Sequence, residues 1–309
     1  MRHSRYFLGI ILFMAFYFAA DRVGGLLLQD LTLRSGIRFS RLYSGKFNAE
    51  ILVLGDSRGV NCIYAPLAEK MTGRSCANIS YNGMGVAVAE ILFRDYLAHN
   101  APPKLLVLEV TNLTVGGALV YNLKPYQSLS PGLSKLLRAE NRSIYYACQL
   151  THLYRFNCEL FLRALYYLGR DDQNWINNYV IQPEFAKSYK PPPAVTRGLQ
   201  ETIPPDSVEA FRKILAQAGR SGAVVRLLVS PFLPAHITGL HDLYDKRKTE
   251  IENLAAGLHV WDYANALDDI RCFADPLHMN LEGARLVLQQ MVADGFFAIP
   301  ASEESALGH

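Results

Sequence analysis

The chain has 309 residues, of which half are hydrophobic and 19% charged, so it is not a disordered protein and can bury one large core with room for an inserted subdomain. Its net charge of +3 is small for this length, and no Lys/Arg cluster marks a nucleic-acid surface. Five cysteines (Cys62, Cys76, Cys148, Cys158 and Cys272) lack the spacing of a zinc site; Cys148 and Cys158 are close enough in sequence for a local disulfide, and all five equally suit small buried apolar positions.

The N-terminus carries Arg2, His3 and Arg5, followed by Tyr6 to Ala20 without a charge. A basic start before an apolar run reads as a secretory signal or an uncleaved anchor. Phe18 stands at the third position before a cut after Ala20 and spoils the small-x-small cleavage pattern. The expectation is therefore an uncleaved signal anchor over residues 1–28, helical from 4 to 28. The uncharged run is short against the roughly 20 residues of a usual span, although Val23 to Leu28 is apolar again. Positive charges ahead of the span place the N-terminus in the cytoplasm and the body outside it.

Beyond the anchor, short apolar runs alternate with helical patterns. Strands are predicted over 51–54, 76–79, 105–110, 224–229 and 259–261, nearly continuous in Val, Ile and Leu, as expected of strands buried on both faces. Helices are predicted over 65–72, 86–100, 207–218, 240–256 and 280–295; in the last, Leu281, Ala284, Leu288, Met291 and Val292 keep a helical spacing. Alternation of this kind predicts an α/β fold with a parallel sheet flanked by helices. Residues from about 113 to 205 break the rhythm. They are rich in aromatics, among them Tyr121, Tyr145, Tyr154, Tyr166 and Trp175, and end in Pro191-Pro192-Pro193. They read as a mainly helical insertion, either a subdomain core or a lid or docking surface for a lipid-linked substrate or partner. Residues 29–298 then make the catalytic domain, and 299–309 a tail.

Chemistry concentrates at two places. Gly55-Asp56-Ser57 ends the first apolar strand, and Asp275-Pro276-Leu277-His278 precedes the final helix. A serine on the turn after a buried strand lies where ligands bind in open α/β sheets. Its hydroxyl is a weak nucleophile that needs a base, which His278 can supply, with Asp275 holding the imidazole tautomer. Asp56 reads as a turn and cap residue. Arg58 reads as a substrate-binding residue for an anionic group, as a partner for Asp56, or as a structural arginine. No phosphate-binding loop, dinucleotide glycine motif or metal cluster is evident, and no cofactor is inferred.

This pairing resembles the SGNH, or GDSL, hydrolase superfamily over roughly residues 48–298. The resemblance implies a three-layer, flavodoxin-like parallel sheet, and an oxyanion hole built from the Ser57 N–H, a glycine after the second strand and an Asn after the third. Gly83 is the best match to the glycine, with Gly85 second, and Asn112 matches the Asn. The chain departs from the family's Gly-x-Asn-Asp in lacking both its Gly and its Asp. Together with an N-terminal anchor, the resemblance extends to the membrane-anchored subset that includes proteins of teichoic-acid D-alanylation and polysaccharide O-acetyltransferases. It implies an acyl donor, an envelope glycan acceptor and a membrane-bound O-acyltransferase partner. A general esterase, lipase or thioesterase, and a non-catalytic envelope assembly protein, are the alternative expectations.

Overall fold

The computed structural model describes residues 2–113, 118–190, 202–238, 241–255 and 257–299. The Pro191-Pro192-Pro193 return, most of the expected tail, and residues 240 and 256 at the ends of a predicted helix lie outside the described residues. Two compact units are present: one of residues 1–44 with 120–171, the other of 45–119 with 172–309.

The second unit carries the sheet. Strands β1 (Ile51–Leu54), β2 (Cys76–Asn78), β3 (Leu105–Glu109), β4 (Val224–Val229) and β5 (Val260–Asp262) run in the order β2-β1-β3-β4-β5, with every neighbouring pair parallel. β1 and β3 are buried at every position, which is why their sequences show no polar alternation. Ile51 and Val53 point to the face covered by the helices Ala65–Thr72 and Leu281–Ala293, where Ala68, Val287, Leu288 and Met291 complete a core. Side chains alternate along a strand, so Leu52 and Leu54, also fully buried, serve the opposite face. There the helices Val86–His99 and Pro205–Ser221 pack on each other. The result is the three-layer α/β architecture expected from the strand–helix rhythm. From β1 the chain passes to β2 on one side and then crosses to β3 on the other. The crevice beyond the ends of β1 and β3 is therefore a topological switch point, the position where such sheets bind ligands.

The first unit joins the N-terminal helix Arg2–Leu33 to the short helices Pro131–Glu140, Arg142–Leu150 and Glu159–Tyr166. The helix continues five residues past the expected end. From Asp21 onward it packs on residues 149–153 of the same unit, so this part belongs to the folded body and does not extend away from it. Its stretch Tyr6–Leu33 is long and apolar enough to cross a membrane. All five cysteines are free thiols; the Cys148–Cys158 disulfide does not form, and the Cys158 thiol points at the Asn122 carbonyl oxygen, 3.3 Å away.

Candidate active site

The turn that carries Ser57 is built by short-range rules. Asp56 caps the helix Ser57–Cys62, its carboxylate accepting the Arg58 N–H at 2.8 Å. This places Ser57, partly exposed, in the first turn of a helix that leaves the end of β1. Two glycines permit the approach. A Cβ at Gly55 would lie 2.6 Å from the Glu109 Cβ on β3, and one at Gly59 would lie 2.6 Å from the Ser80 Oγ. Asn78, the last residue of β2, donates to the Gly59 and Ile63 carbonyls at 2.9 and 2.8 Å. It thereby ties the end of β2 to the C-terminal end of this helix, adding to the Ile63 N–H that the Gly59 carbonyl already accepts at 3.3 Å.

His278 and Asp275 arrive on a tight loop closed by the bridge between Phe273 and Met279. The loop is held by Leu233, whose N–H donates to the Pro276 carbonyl at 3.1 Å, and by Asn280, whose N–H donates to the Cys272 carbonyl at 3.0 Å. The relay is complete: His278 Nε2 stands 2.7 Å from Ser57 Oγ, and Nδ1 stands 2.8 Å from Asp275 Oδ2. With Nδ1–H donating to the carboxylate, Nε2 is left as acceptor for the serine proton. Asp275 also accepts the Leu277 and His278 N–H groups at 2.8 and 3.0 Å. Burial alone would raise its pKa, but the hydrogen bond and charge of His278, together with those two N–H groups, hold it below the usual carboxylate range. The carboxylate that holds the His278 ring is thus kept ionised.

Asn112, after β3, donates to the second oxygen of Asp56 at 3.2 Å. Asp56 therefore both caps the helix and orients an amide beside the Ser57 turn, and the amide keeps a second N–H for another acceptor. The loop carrying Gly83 is tied to the same turn by the Tyr81 N–H, which donates to the Gly55 carbonyl at 3.2 Å. Gly83 itself is exposed at a φ of 70° in the turn Asn82-Gly83, while Gly85 is buried at the start of the helix Val86–His99. Asn112 is tied directly to the Ser57 turn through Asp56, whereas Gly83 is linked to it only through Tyr81 of its own loop.

Arg58 corrects the expectation of a substrate-binding residue. It is 2% exposed, lies 3.6 Å from the ring centroid of Phe232, and donates to the Leu277, Ser230 and Pro231 carbonyls at 2.7, 2.5 and 3.1 Å. The guanidinium faces inward and joins the helix Ser57–Cys62 to the residue before His278. Its charge is met by Glu109, 3.5 Å away. Breaking a buried pair typically costs about 3–5 kcal/mol. Arg58→Met is expected to destabilise by about that much. Arg58→Met/Glu109→Gln should recover only the part due to the unpaired Glu109 charge, and no turnover, because the Leu277, Ser230 and Pro231 carbonyls stay unmet. Urea unfolding alongside ester hydrolysis checks this, and recovery of both in the double variant would count against the clamp.

Glu109 also accepts hydroxyl protons from Thr111 and Ser230. Burial, reinforced by the Asp56 charge, pushes its carboxyl up to about 7 against the pull of Arg58 and the two hydroxyls. The folded value lies above the ordinary 4.5, so the native state binds this proton more tightly. The stability it contributes is fully present below the unfolded pKa and is lost as pH rises through about 7. Thermal unfolding should therefore show Tm falling between about pH 5 and pH 8, a component absent from Glu109→Gln. An equally steep fall in the variant would assign it elsewhere.

No family model and no curated protein matches the chain. A solved structure from Streptococcus pneumonia, provisionally described as a platelet activating factor, is similar at 10% identity and a TM-score of 0.40, covering 93% of this chain and 98% of that one. Likeness at this level speaks neither for an activity nor for a substrate.

Proposed function

We propose that this chain is a membrane-anchored serine acyl-transfer enzyme of the SGNH type, working outside the cytoplasm and passing an acyl group to a hydroxyl of a cell-envelope glycan. The observation that carries the reading is the Ser57–His278–Asp275 relay at the switch point of the sheet. In the first half-reaction the Ser57 Oγ bonds to the acyl carbon as its proton passes to His278 Nε2. The oxyanion is met by the Ser57 N–H, the Asn112 amide and, on the resemblance, the Gly83 N–H. Collapse breaks the bond to the donor's leaving group, which departs with the proton from His278. In the second half-reaction an acceptor hydroxyl gives its proton to His278 and attacks the ester carbon, and Ser57 regains its proton. Asp275 stabilises the imidazolium in both halves.

The same intermediate serves hydrolysis if water is the acceptor. The glycan reading is supported by the apolar N-terminal helix, which would hold the site near envelope polymers, and by the resemblance to anchored O-acetyltransferases. On that reading a membrane-bound O-acyltransferase delivers the acyl group across the membrane. The test is a competition assay with an activated acetyl ester, with and without oligosaccharide acceptors. Acetylated oligosaccharide formed at the expense of free acetate is the expected result. Free acetate as the sole product with every envelope glycan, abolished by Ser57→Ala, would make the protein a hydrolase.

A further inference from the structure

Within the first unit, the helix Arg2–Leu33 changes its surroundings at residue 21. Upstream, its large apolar side chains stand exposed all round, Phe13 and Phe16 among them. At Asp21 it becomes fixed. That carboxylate, 2% exposed, accepts the N–H groups of His152 and Leu153 at 2.8 and 3.1 Å, capping the turn His152–Phe156. Arg22 pairs with Asp21 at 2.7 Å and donates to the Leu150 carbonyl at 3.3 Å. A Cβ at Gly25 would lie 2.6 Å from the His152 Cβ, and one at Gly24 3.0 Å from a Leu153 methyl, so this glycine pair seats the helix directly on residues 152 and 153. The segment ending at Leu153 is thereby held level with the end of the uncharged run.

That segment turns apolar side chains outward. Leu150 is 74% exposed, and Leu153, as well as Tyr146 one helical turn before Leu150, is also exposed. Single exposed leucines are ordinary on a soluble surface. These three instead fall within eight residues of one another on the segment docked against Asp21, Gly24 and Gly25, and Val23 and Leu26 of the helix at that level are exposed as well. We infer that the segment Tyr146 to Leu153 is a second membrane contact, seated at the boundary between headgroups and acyl chains of the bilayer that the helix enters.

The inference rests on the anchor reading above, and helix length names lipid as the occupant. The uncharged run Tyr6 to Ala20 spans only about 22 Å at ~1.5 Å per residue, against a hydrocarbon core of about 30 Å. A span this short is accommodated when flanking apolar groups are drawn into the interface or the bilayer thins. Leu150 and Leu153, pinned at the end of the run, are such groups. Tyr146 has the ring-and-hydroxyl character favoured at that depth. Arg22, its guanidinium 4.3 Å from the Phe18 ring centroid, has the long stem that lets a charge reach the headgroups.

The test uses the full chain reconstituted in phosphatidylcholine–phosphatidylglycerol vesicles. Single tryptophan substitutions are read by brominated-lipid quenching as the increment over the parent chain, which carries Trp175 and Trp261. Phe13→Trp should be quenched by lipids brominated deep in the acyl chains, and Leu150→Trp by lipids brominated near the headgroups. Tyr166→Trp is the internal comparison. Its neighbour Tyr167 accepts the Gly36 N–H at 2.9 Å, past the end of the helix at Leu33, which is itself roughly 16 Å farther along the helix than Arg22 at ~1.5 Å per residue. Leu150→Trp is expected to be quenched several-fold more than Tyr166→Trp. Equal, weak quenching of those two, with Phe13→Trp strongly quenched, would overturn the lipid contact and leave the face to a protein partner. An unquenched Phe13→Trp would remove the anchor reading, and this inference with it.

Discussion

Ser57→Ala is expected to lower kcat toward an activated acetyl ester by about a millionfold, the scale on which removing the nucleophile or the base of such a relay acts. Among the described residues the Ser57 hydroxyl bonds only His278 Nε2, and Ser57 is partly exposed, so unfolding free energy should change by no more than about 1 kcal/mol. His278→Ala should cost a similar factor, and the double variant no more than either single one, because the two groups act as a unit. Burst and steady-state kinetics measure all three. A loss of less than about tenfold in Ser57→Ala would move the chemistry elsewhere.

Asp275→Asn should cost about 10⁴ in kcat while leaving the loop in place. An amide at this position presents an N–H to Nδ1 and drives the ring to the tautomer with the proton on Nε2. The Ser57 Oγ would then face a donor and have no acceptor for its proton. The variant also carries a pH signature. The folded pKa of Asp275 lies below its ordinary value of 3.8, so the stability it contributes is present above that value and lost as pH falls through the depressed one. Asp275→Asn should be less stable at neutral pH and less sensitive to acid below about pH 4. A variant with full turnover, or with an unchanged acid-unfolding profile, would contradict the orienting role.

Much of this arrangement was legible in the chain itself, because it follows from local pattern. Ile51 to Leu54 is apolar at every position because β1 is buried on both faces, and Ser57 follows it directly. Leu281–Ala293 shows its helical spacing because one side lies on the core. The helix Ser57–Cys62 was not legible, since six residues are too few to display a period. Neither was Asn78, whose role is to meet carbonyls 15 and 19 residues away in the chain. Of the readings open for Arg58, the substrate contact fails for a related reason. A charged residue beside a nucleophile suggests a substrate contact, but what buries it is the ring of Phe232 and carbonyls 172 to 219 residues downstream. Likewise, the docking of the N-terminal helix depends on Asp21 meeting two N–H groups some 131 residues on.

The central claim is that Ser57 carries an acyl group, and intact-protein mass spectrometry after incubation with an activated acetyl ester tests it most directly. The wild-type chain is expected to gain the mass of one acetyl group, mapped by peptide fragmentation to Ser57, with accumulation greatest when no acceptor is present. Ser57→Ala should gain none. A wild-type protein that stays unmodified under rapid quench, or one acetylated equally with and without Ser57, would contradict the account.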